Sequence, residues 1–356
     1  MRLLMPMPRT LALLIALAAC GDDSSSPDAG NLRFAQGDVT VESGGFSEPF
    51  TFSVPEGTRS LTIVATGADD ALYALGSFVT ADGAERVGIT LDAPPGTAMR
   101  ASYDTEQIGQ MPGALFQSIR LGTFTHVFPY RPDQSVLAGT TTVRIASDKP
   151  GPVRVSVLMP PDDGAKTLHV NLFVVSESLT LAQPPTFLDE LQAIVAQAGI
   201  TVVVDEVREL RGTGLSAITQ STEPQEAPQS MSARLPALAT NPASPAALDI
   251  FIVDSLPSGI GGLSLGTPGP PLRGSYYYGV LIRRSTNDQT LGVVIAHETC
   301  HFLALQHVTN VGVSGMVYPD PLDDTQPGQS NLMQAGSKLT ADQGFALSRS
   351  ALLRAE

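Results

Sequence analysis

The stretch that decides the fold is HETCHFLALQH, residues 297–307, which holds three of the five histidines of the chain. On a helix that turns about 100° per residue, His297 and His301 lie four positions apart on one face, with Glu298 beside them. Two imidazoles on one helical face, next to a carboxylate, are an arrangement with which a single helix can bind a metal ion. The spacing therefore predicts a metal site on a helix.

The residues before the first histidine indicate where this helix lies. The segment LGVVIA, residues 291–296, is apolar on every face, which is typical of a central and buried helix. Asp288 or Thr290 is predicted to cap its N-terminus. Because buried polar groups without partners are costly, two histidines and a glutamate on such a helix call for a functional explanation.

His307 belongs to the same site only if the helix ends before it. It lies six residues beyond His301, which is about 240° further around a continuous helix. It can reach the same ion only if the helix ends near Leu303 or Ala304 and the chain turns back. We therefore predict a helix end at this point.

The extended pattern resembles that of the metzincin clan of zinc metallopeptidases, in which H-E-x-x-H-x-x-G-x-x-H is followed by a turn that contains methionine. Ser330-Asn331-Leu332-Met333 is similar to the Asn-x-Met turn of the pappalysin-like branch. Leu339-Thr340-Ala341-Asp342-Gln343 is similar to the Leu-Thr-x-x-Gln helix start of the same branch. The resemblance covers roughly residues 165–356.

This resemblance implies a zinc-dependent metalloendopeptidase. His297, His301 and His307 would bind Zn²⁺ through neutral imidazoles, with a water molecule at the remaining position. Glu298 would be the general base that activates this water for hydrolysis of a peptide bond. Met333 would lie beneath the imidazoles without binding the metal.

Four positions bear on how far the resemblance extends. Ala304 stands where the clan has glycine, and a positive φ there would cost about 1 kcal/mol or somewhat more. Ala335 stands where some metzincins have a tyrosine. Cys300 is interpreted as a small buried hydrophobe, although a thiolate there could compete for metal. Met316 is a rival to Met333 as the turn methionine.

Three carboxylates lie close together in the sequence between the last histidine and the methionine turn: those of Asp320, Asp323 and Asp324. Hard oxygen ligands of this kind suit Ca²⁺, and a solvated loop with a local aspartate cap is the alternative. The remaining histidines, His126 and His169, stand alone in predicted strands and are interpreted as structural.

The chain is long enough for two domains, and we predict an α+β multidomain fold. Residues 32–158 contain short apolar or alternating runs between Gly, Pro and Asp, which indicates an antiparallel β-sandwich. Residues 165–356 alternate strands with helices, including an amphipathic helix over 185–198, as expected for a metzincin-like α/β peptidase domain. In such a fold an edge strand, predicted at 261–266, would pair with an extended protein or peptide substrate.

The N-terminus resembles a bacterial lipoprotein signal. Arg2 and Arg9 precede an apolar run that ends in Leu17-Ala18-Ala19-Cys20 and is well short of the ~20 residues of a membrane-spanning helix. The resemblance implies removal of residues 1–19, lipidation of Cys20 and a flexible tether over 20–31. The protein would then be exported and anchored to a bacterial membrane through its lipid. An ordinary secretory leader cut near Ala19 is the alternative.

The net charge argues against nucleic acid as a partner, and the cysteine count argues against an intramolecular disulfide. Loss of residues 1–19 removes two arginines and no acid, so the formal charge changes from −14 to −16. A polyanion such as DNA would be repelled, so nucleic acid is not an expected partner. If Cys20 carries a lipid, Cys300 has no partner for an intramolecular disulfide.

Two other functions remain open at this point. One is a catalytically inactive surface or adhesion lipoprotein with a peptidase-like fold, against which the intact Glu298 and three histidines argue. The other is a zinc hydrolase that acts on peptidoglycan cross-links, which nothing in the pattern excludes.

Overall fold

The computed structural model describes residues 32–43, 45–68, 71, 73–88, 122–179, 185–217, 235, 247–256, 259–272, 277–311 and 317–355. This part of the chain consists mostly of strands, arranged in several sheets, with few helices. No helix within it is long and apolar enough to cross a membrane. Several predicted features lie outside the described residues: the leader over 1–19, the lipidation of Cys20, the tether over 20–31 and the rival methionine Met316.

The N-terminal region contains two antiparallel sheets of four strands. The first has the order β1-β8-β3-β6 and the second β2-β7-β4-β5. Their strands are β1 (Arg33–Val41), β2 (Phe50–Val54), β3 (Leu61–Thr66), β4 (Tyr73–Val79), β5 (Glu85–Gly88), β6 (Thr123–Phe128), β7 (Gly139–Ser147) and β8 (Gly151–Met159).

One hydrophobic core lies between these two sheets. Alternation along the strands supplies it: in β2, Phe52 and Val54 are buried, whereas Thr51 and Ser53 are exposed. Strands of both sheets contribute buried side chains, such as Ile63 and Val157 from one and Ile145 from the other. The short apolar runs of the sequence therefore form a two-layer arrangement of strands.

The C-terminal region is built around a six-stranded sheet with the order β10-β9-β11-β13-β12, in which β16 also pairs with β9. Strands β10, β9, β11 and β13 run parallel, whereas β12 is antiparallel to β13. The elements are β9 (Thr167–Val174), α1 (Phe187–Val195), β10 (Thr201–Glu209), β11 (Leu248–Val253), β12 (Gly262–Ser264), β13 (Val280–Arg283), α2 (Asp288–Phe302), β14 (Thr309–Val311), β15 (Val317–Pro319), α3 (Ala341–Leu347) and β16 (Leu353–Arg354).

Both faces of this sheet are covered, which explains the unbroken apolar run of its central strand. Every residue of β11 is buried, as expected for a parallel strand with layers on both sides. Helices α1, α2 and α3 contribute to the core on one face, and residues such as Leu215, Leu256 and Leu265 cover the other. Helix α2 therefore packs against one face of the sheet and is central and buried.

Helices α1 and α2 approach each other closely at Gly292. A Cβ atom at this position would lie 2.6 Å from the carbonyl oxygen of Phe187 and 2.5 Å from the Cβ of Glu190. Only glycine leaves room for this contact, and the contact fixes the position of α2.

The two regions of the chain are joined by buried contacts. The guanidinium group of Arg59, in the N-terminal region, donates hydrogen bonds to the carbonyl oxygens of Ala165 at 3.2 Å, Ser350 at 3.1 Å and Leu353 at 3.2 Å. Tyr130, which follows β6, is buried in the core of the C-terminal sheet. The N-terminal sheets therefore lie directly against the region that contains the histidines.

Candidate metal centre

Helix α2 carries two of the three clustered histidines, and its N-terminus differs from the prediction. Asn287, not Asp288 or Thr290, is the cap: its side-chain oxygen accepts a hydrogen bond from the backbone N–H of Thr290 at 2.9 Å. An asparagine accepts this bond as well as the predicted residues could. The predicted burial is confirmed, since nine residues of the helix are buried, among them Glu298 and His301.

The helix ends where the pattern predicts, in a Schellman turn. The N–H of Leu305 donates to the carbonyl oxygen of Cys300 at 2.8 Å, and that of Ala304 to the carbonyl oxygen of His301 at 3.0 Å. Ala304 has a φ of 120° and is the only residue other than glycine with a positive φ in the described part of the chain. The alanine therefore occupies a backbone conformation that favours glycine.

This turn brings the three histidines together. The Nε2 atom of His307 lies 3.2 Å from Nε2 of His297 and 3.0 Å from Nε2 of His301. One potential ligand atom from each of the three residues lies within 4.8 Å of the others, and no other such group occurs among the described residues. The sequence prediction that the chain turns back at Ala304 thus agrees with the geometry.

The outward nitrogens of the two helical histidines define which ring atom faces the cluster. Nδ1 of His297 lies 2.7 Å from the carbonyl oxygen of Leu332, and Nδ1 of His301 lies 2.7 Å from that of Leu305. A carbonyl oxygen only accepts, so each Nδ1 carries the proton and each Nε2 presents a lone pair. The two Nε2 lone pairs point into the cluster, where neutral imidazoles could bind a metal ion.

The residues present fit a zinc ion. A tetrahedral ion with bonds of about 2.0–2.1 Å requires ligand atoms about 3.3 Å apart, close to the two Nε2 separations from His307. In proteins, a zinc-binding histidine is commonly oriented by a hydrogen bond from its other ring nitrogen to a carbonyl oxygen. His297 and His301 both make such a hydrogen bond through Nδ1. Three histidine nitrogens leave one position of a tetrahedron open, as in catalytic rather than structural sites.

Burial keeps these imidazoles neutral. It lowers the pKa of His297, and it lowers the pKa of His301 well below its usual value, with a further contribution from the neighbouring His297 and His307. The pKa of His307 is lowered by burial and by His297. Neutral rings are the form that binds a metal.

The carboxylate of Glu298 is held against the edge strand β12. Its Oε2 accepts a hydrogen bond from the backbone N–H of Ser264 at 2.7 Å, and the residue is 8% exposed. Burial raises the pKa of Glu298 to about 7, although the hydrogen bond from Ser264 lowers it. A Cβ atom on Gly262 would lie 2.5 Å from Cγ of Glu298, so β12 must carry glycine here.

The predicted methionine turn lies against the same cluster. Met333 is completely buried, and its carbonyl oxygen accepts a hydrogen bond at 3.3 Å from the N–H of Val308, the residue after His307. The preceding carbonyl, that of Leu332, is the partner of His297. The segment that resembles the Asn-x-Met turn therefore contacts the surroundings of two histidines through its backbone.

Several contacts of the histidines and of Glu298 involve backbone groups and could not be predicted from a sequence motif. The carbonyl groups of Leu305 and Leu332, and the N–H of Ser264, are backbone groups that no residue type reveals. A signal existed for one further contact, because Thr340 and Gln343 have the spacing of a capping box, and the structure contains that box.

The predicted calcium site has no support in the described residues. Asp323 forms a salt bridge with Arg131, with an N···O distance of 3.3 Å. Asp320 accepts hydrogen bonds from the hydroxyl group of Thr325 and from the N–H of Leu322. Asp324 accepts a hydrogen bond from the N–H of Asp342. Burial, together with the neighbouring carboxylates of Asp324 and Asp342, raises the pKa of Asp320 to about 6. The three carboxylates do not converge on one point.

The other predicted candidates lie apart from the cluster or do not contribute a ligand. Burial raises the pKa of the Cys300 thiol, so it is a protonated, buried hydrophobe. Nδ1 of His169 lies 2.7 Å from Oδ1 of Asp205, between β9 and β10. His126 is buried in the core of the N-terminal sheets.

No protein-family model matches the chain, and no curated protein matches it. Among solved structures, it is similar to metalloproteinase-II from Bacteroides fragilis, with 16% identity over 52% of this chain and 53% of that one, at a TM-score of 0.31. It is also similar to archaemetzincin from Methanopyrus kandleri, with 11% identity over 53% of this chain and 89% of that one, at a TM-score of 0.29. The matched region thus spans about half the length of the Bacteroides protein.

Proposed function

We propose that the protein is a zinc metallopeptidase that hydrolyses peptide bonds. The observation that carries this proposal is that Nε2 of His307 lies 3.2 Å from Nε2 of His297 and 3.0 Å from Nε2 of His301. When bound there, Zn²⁺ supplies Lewis-acid polarisation of a carbonyl group and lowers the pKa of a water molecule. The three imidazoles, in their neutral form, would hold the ion.

Glu298 serves as the general base in this proposal. It follows His297 on α2, is almost fully buried, and keeps a fixed orientation because Ser264 donates to one of its oxygens. The other oxygen, Oε1, accepts the proton of the attacking water and later delivers it to the leaving amine. Gly262 leaves the space that this carboxylate occupies.

The substrate is an extended protein or peptide chain. Strand β12 is the outermost strand of the sheet in the described part of the chain and is antiparallel to β13. An extended peptide can add to such an edge through backbone hydrogen bonds. Because Glu298 lies against β12, a peptide on this edge would pass the carboxylate.

The fold in this proposal is that of a metzincin-like peptidase domain over 165–356, of the pappalysin-like type, preceded by a β-sandwich over 32–158. The Schellman turn at Ala304, the buried Met333 and the capping box of Thr340 and Gln343 support it. The shared core of the two N-terminal sheets supports the sandwich.

Metal content and cleavage test the function together. The purified protein should contain about one Zn²⁺ per chain and should cleave an unfolded protein. Glu298→Ala and Glu298→Gln should retain the metal and lose about 10²–10⁴-fold in cleavage rate, the usual contribution of a general base. A protein that holds no Zn²⁺, or a Glu298→Ala variant that cleaves as fast as the wild type, would contradict the proposal.

We further propose that the exported protein is anchored to a bacterial membrane by a lipid on Cys20, with residues 20–31 as tether. The proposal rests on the leader sequence alone. Radiolabelled palmitate should label the wild type in bacterial cells and should not label Cys20→Ala. Equal labelling of both proteins would exclude this anchor.

A further inference from the structure

A pair of buried amide side chains holds the turn that contacts the histidines. Nδ2 of Asn331 donates to Oε1 of Gln343 at 2.9 Å, and Nε2 of Gln343 donates back to Oδ1 of Asn331 at 3.0 Å. Asn331 is 2% exposed and Gln343 is fully buried. Two amides that pair in both directions fix each other's orientation.

Each amide of this pair also fixes a backbone segment. Oδ1 of Asn331 accepts a second hydrogen bond from the N–H of Met333 at 2.8 Å, which closes the turn. Oε1 of Gln343 accepts one from the N–H of Thr340 at 3.1 Å, which closes the start of α3. The pair therefore joins the start of α3 to the turn around Met333.

The turn reaches the histidines through two consecutive carbonyl groups. The carbonyl oxygen of Leu332 lies 2.7 Å from Nδ1 of His297, and that of Met333 accepts from the N–H of Val308 at 3.3 Å. Both carbonyls lie within two residues of Asn331. A shift of this turn would therefore change the orientation of the His297 ring and the position of the chain next to His307.

We propose that Asn331 and Gln343 are positioning residues for the three-histidine cluster, acting through the carbonyl groups of Leu332 and Met333. This inference rests on the proposed function and deepens it, because it assigns to two residues far along the chain a share in the affinity for Zn²⁺. Groups that orient metal ligands typically change metal affinity by about 10–100-fold when they are removed.

The chain offers a matched control for this test. Nδ2 of Asn171 donates to Oδ1 of Asp249 at 2.8 Å, and both residues are buried in the same sheet, away from the histidines. Asn171→Ala therefore removes a buried amide of the same kind and lowers the free energy of unfolding without touching the turn. Asn331→Ala and Gln343→Ala remove the pair itself.

Competition with a chelator then measures the dissociation constant of Zn²⁺ in each variant. We expect it to rise about 10–100-fold in Asn331→Ala and Gln343→Ala and to stay unchanged in Asn171→Ala. Gln343→Glu keeps an oxygen that accepts from Asn331 and from the N–H of Thr340, but a second oxygen replaces the Nε2 donor to Asn331. It should show a smaller rise and supplies the test if an alanine variant does not fold. Unchanged affinity in the folded variants, or an equal rise in Asn171→Ala, would overturn the inference.

A metal-free measurement separates this inference from the proposed function. Long-range ¹H–¹⁵N NMR spectra of the metal-free protein report which ring nitrogen of His297 carries the proton. We expect Nδ1–H in the wild type and in Asn171→Ala, and a mixture of tautomers in Asn331→Ala. If the wild type binds no Zn²⁺, the proposed function fails; if the tautomer of His297 is the same in Asn331→Ala, the positioning role fails, whether or not zinc binds.

Discussion

The chain buries histidines in two contrasting ways. His126, in the N-terminal sheets, is 1% exposed, lies beside the rings of Phe78 and Phe124, and its Nε2 has no hydrogen-bond partner in the described structure. His301, in the C-terminal region, is 8% exposed, with a carbonyl partner on one nitrogen and His307 on the other. Burial lowers the pKa of both side chains.

The difference shows that burial alone does not identify a metal ligand. Both imidazoles are neutral because both are removed from water. The ring of His301, in contrast, lies beside the rings of His297 and His307. Its Nδ1–H donates a hydrogen bond to the carbonyl oxygen of Leu305, which fixes the orientation of the ring. His126 has no imidazole neighbour in the described structure, and its ring packs against Phe78 and Phe124. Its buried Nε2 without a partner lowers the free energy of unfolding.

The largest expected effect separates the two histidines by metal binding. At free Zn²⁺ about 1,000 times the dissociation constant, the wild type should gain about 4 kcal/mol in free energy of unfolding. His126→Leu should keep this gain, and His301→Ala should lose it, because only the second change removes a proposed ligand. Chemical denaturation with and without Zn²⁺ measures both. The comparison breaks down if His301→Ala is stabilised as much as the wild type.

The next effect is the pH dependence of stability that the burial of His126 produces. Burial lowers the pKa of His126 from 6.5 to about 4, so between these values the unfolded chain binds more protons than the folded one. His126 therefore makes the free energy of unfolding fall as pH drops from about 6.5 to about 4, by up to about 3 kcal/mol, and has no effect above pH 6.5.

His126→Leu should remove this contribution. The difference in free energy of unfolding between wild type and variant should shift by about 3 kcal/mol in favour of the variant between pH 7 and pH 4. Denaturation curves at several pH values, on metal-free protein, give this difference. A constant difference across the range would show that His126 does not titrate as a buried neutral group.

A third change acts at the cluster but on Glu298. In Gly262→Ala the new methyl group would lie 2.5 Å from Cγ of Glu298 and would displace the carboxylate, whereas Zn²⁺ should still bind. We expect the cleavage rate to fall about 100-fold, the effect of a displacement of about 1 Å in a catalytic group. Gly261→Ala is the matched control, because its Cβ would only touch Val294 at 3.5 Å. Equal rates in both variants would mean that Glu298 does not need this space.

The smallest effect concerns the turn that brings His307 back. Ala304 has a φ of 120°, which glycine adopts without strain. Ala304→Gly should therefore raise the free energy of unfolding by about 1 kcal/mol and retain Zn²⁺, whereas Ala304→Val should lower it, because a branched side chain tolerates this φ poorly. Denaturation of the two variants beside the wild type measures the change. An Ala304→Gly variant less stable than Ala304→Val would contradict the assigned backbone conformation.

Residue types with a fixed spacing were predictable, and backbone partners were not. A site shared by His297, His301 and His307 required a helix end near Leu303 or Ala304, and α2 ends at Phe302 with a positive φ at Ala304. The cap Asn287 was missed because neighbouring aspartate, threonine and asparagine can all accept the same bond. Three aspartates within five residues, Asp320, Asp323 and Asp324, suggested calcium, but their carboxylates do not converge on one point in the described structure, and only the fold determines this.

X-ray absorption at the zinc K edge of the purified protein tests the central claim most directly, because it counts the atoms around the ion and identifies their elements. We expect three imidazole nitrogens at about 2.0–2.1 Å and one further light atom, in the wild type and in His126→Leu alike. His307→Ala should show one imidazole fewer. A sulfur neighbour, from a cysteine or from Met333, or two imidazoles in the wild type would contradict the three-histidine site.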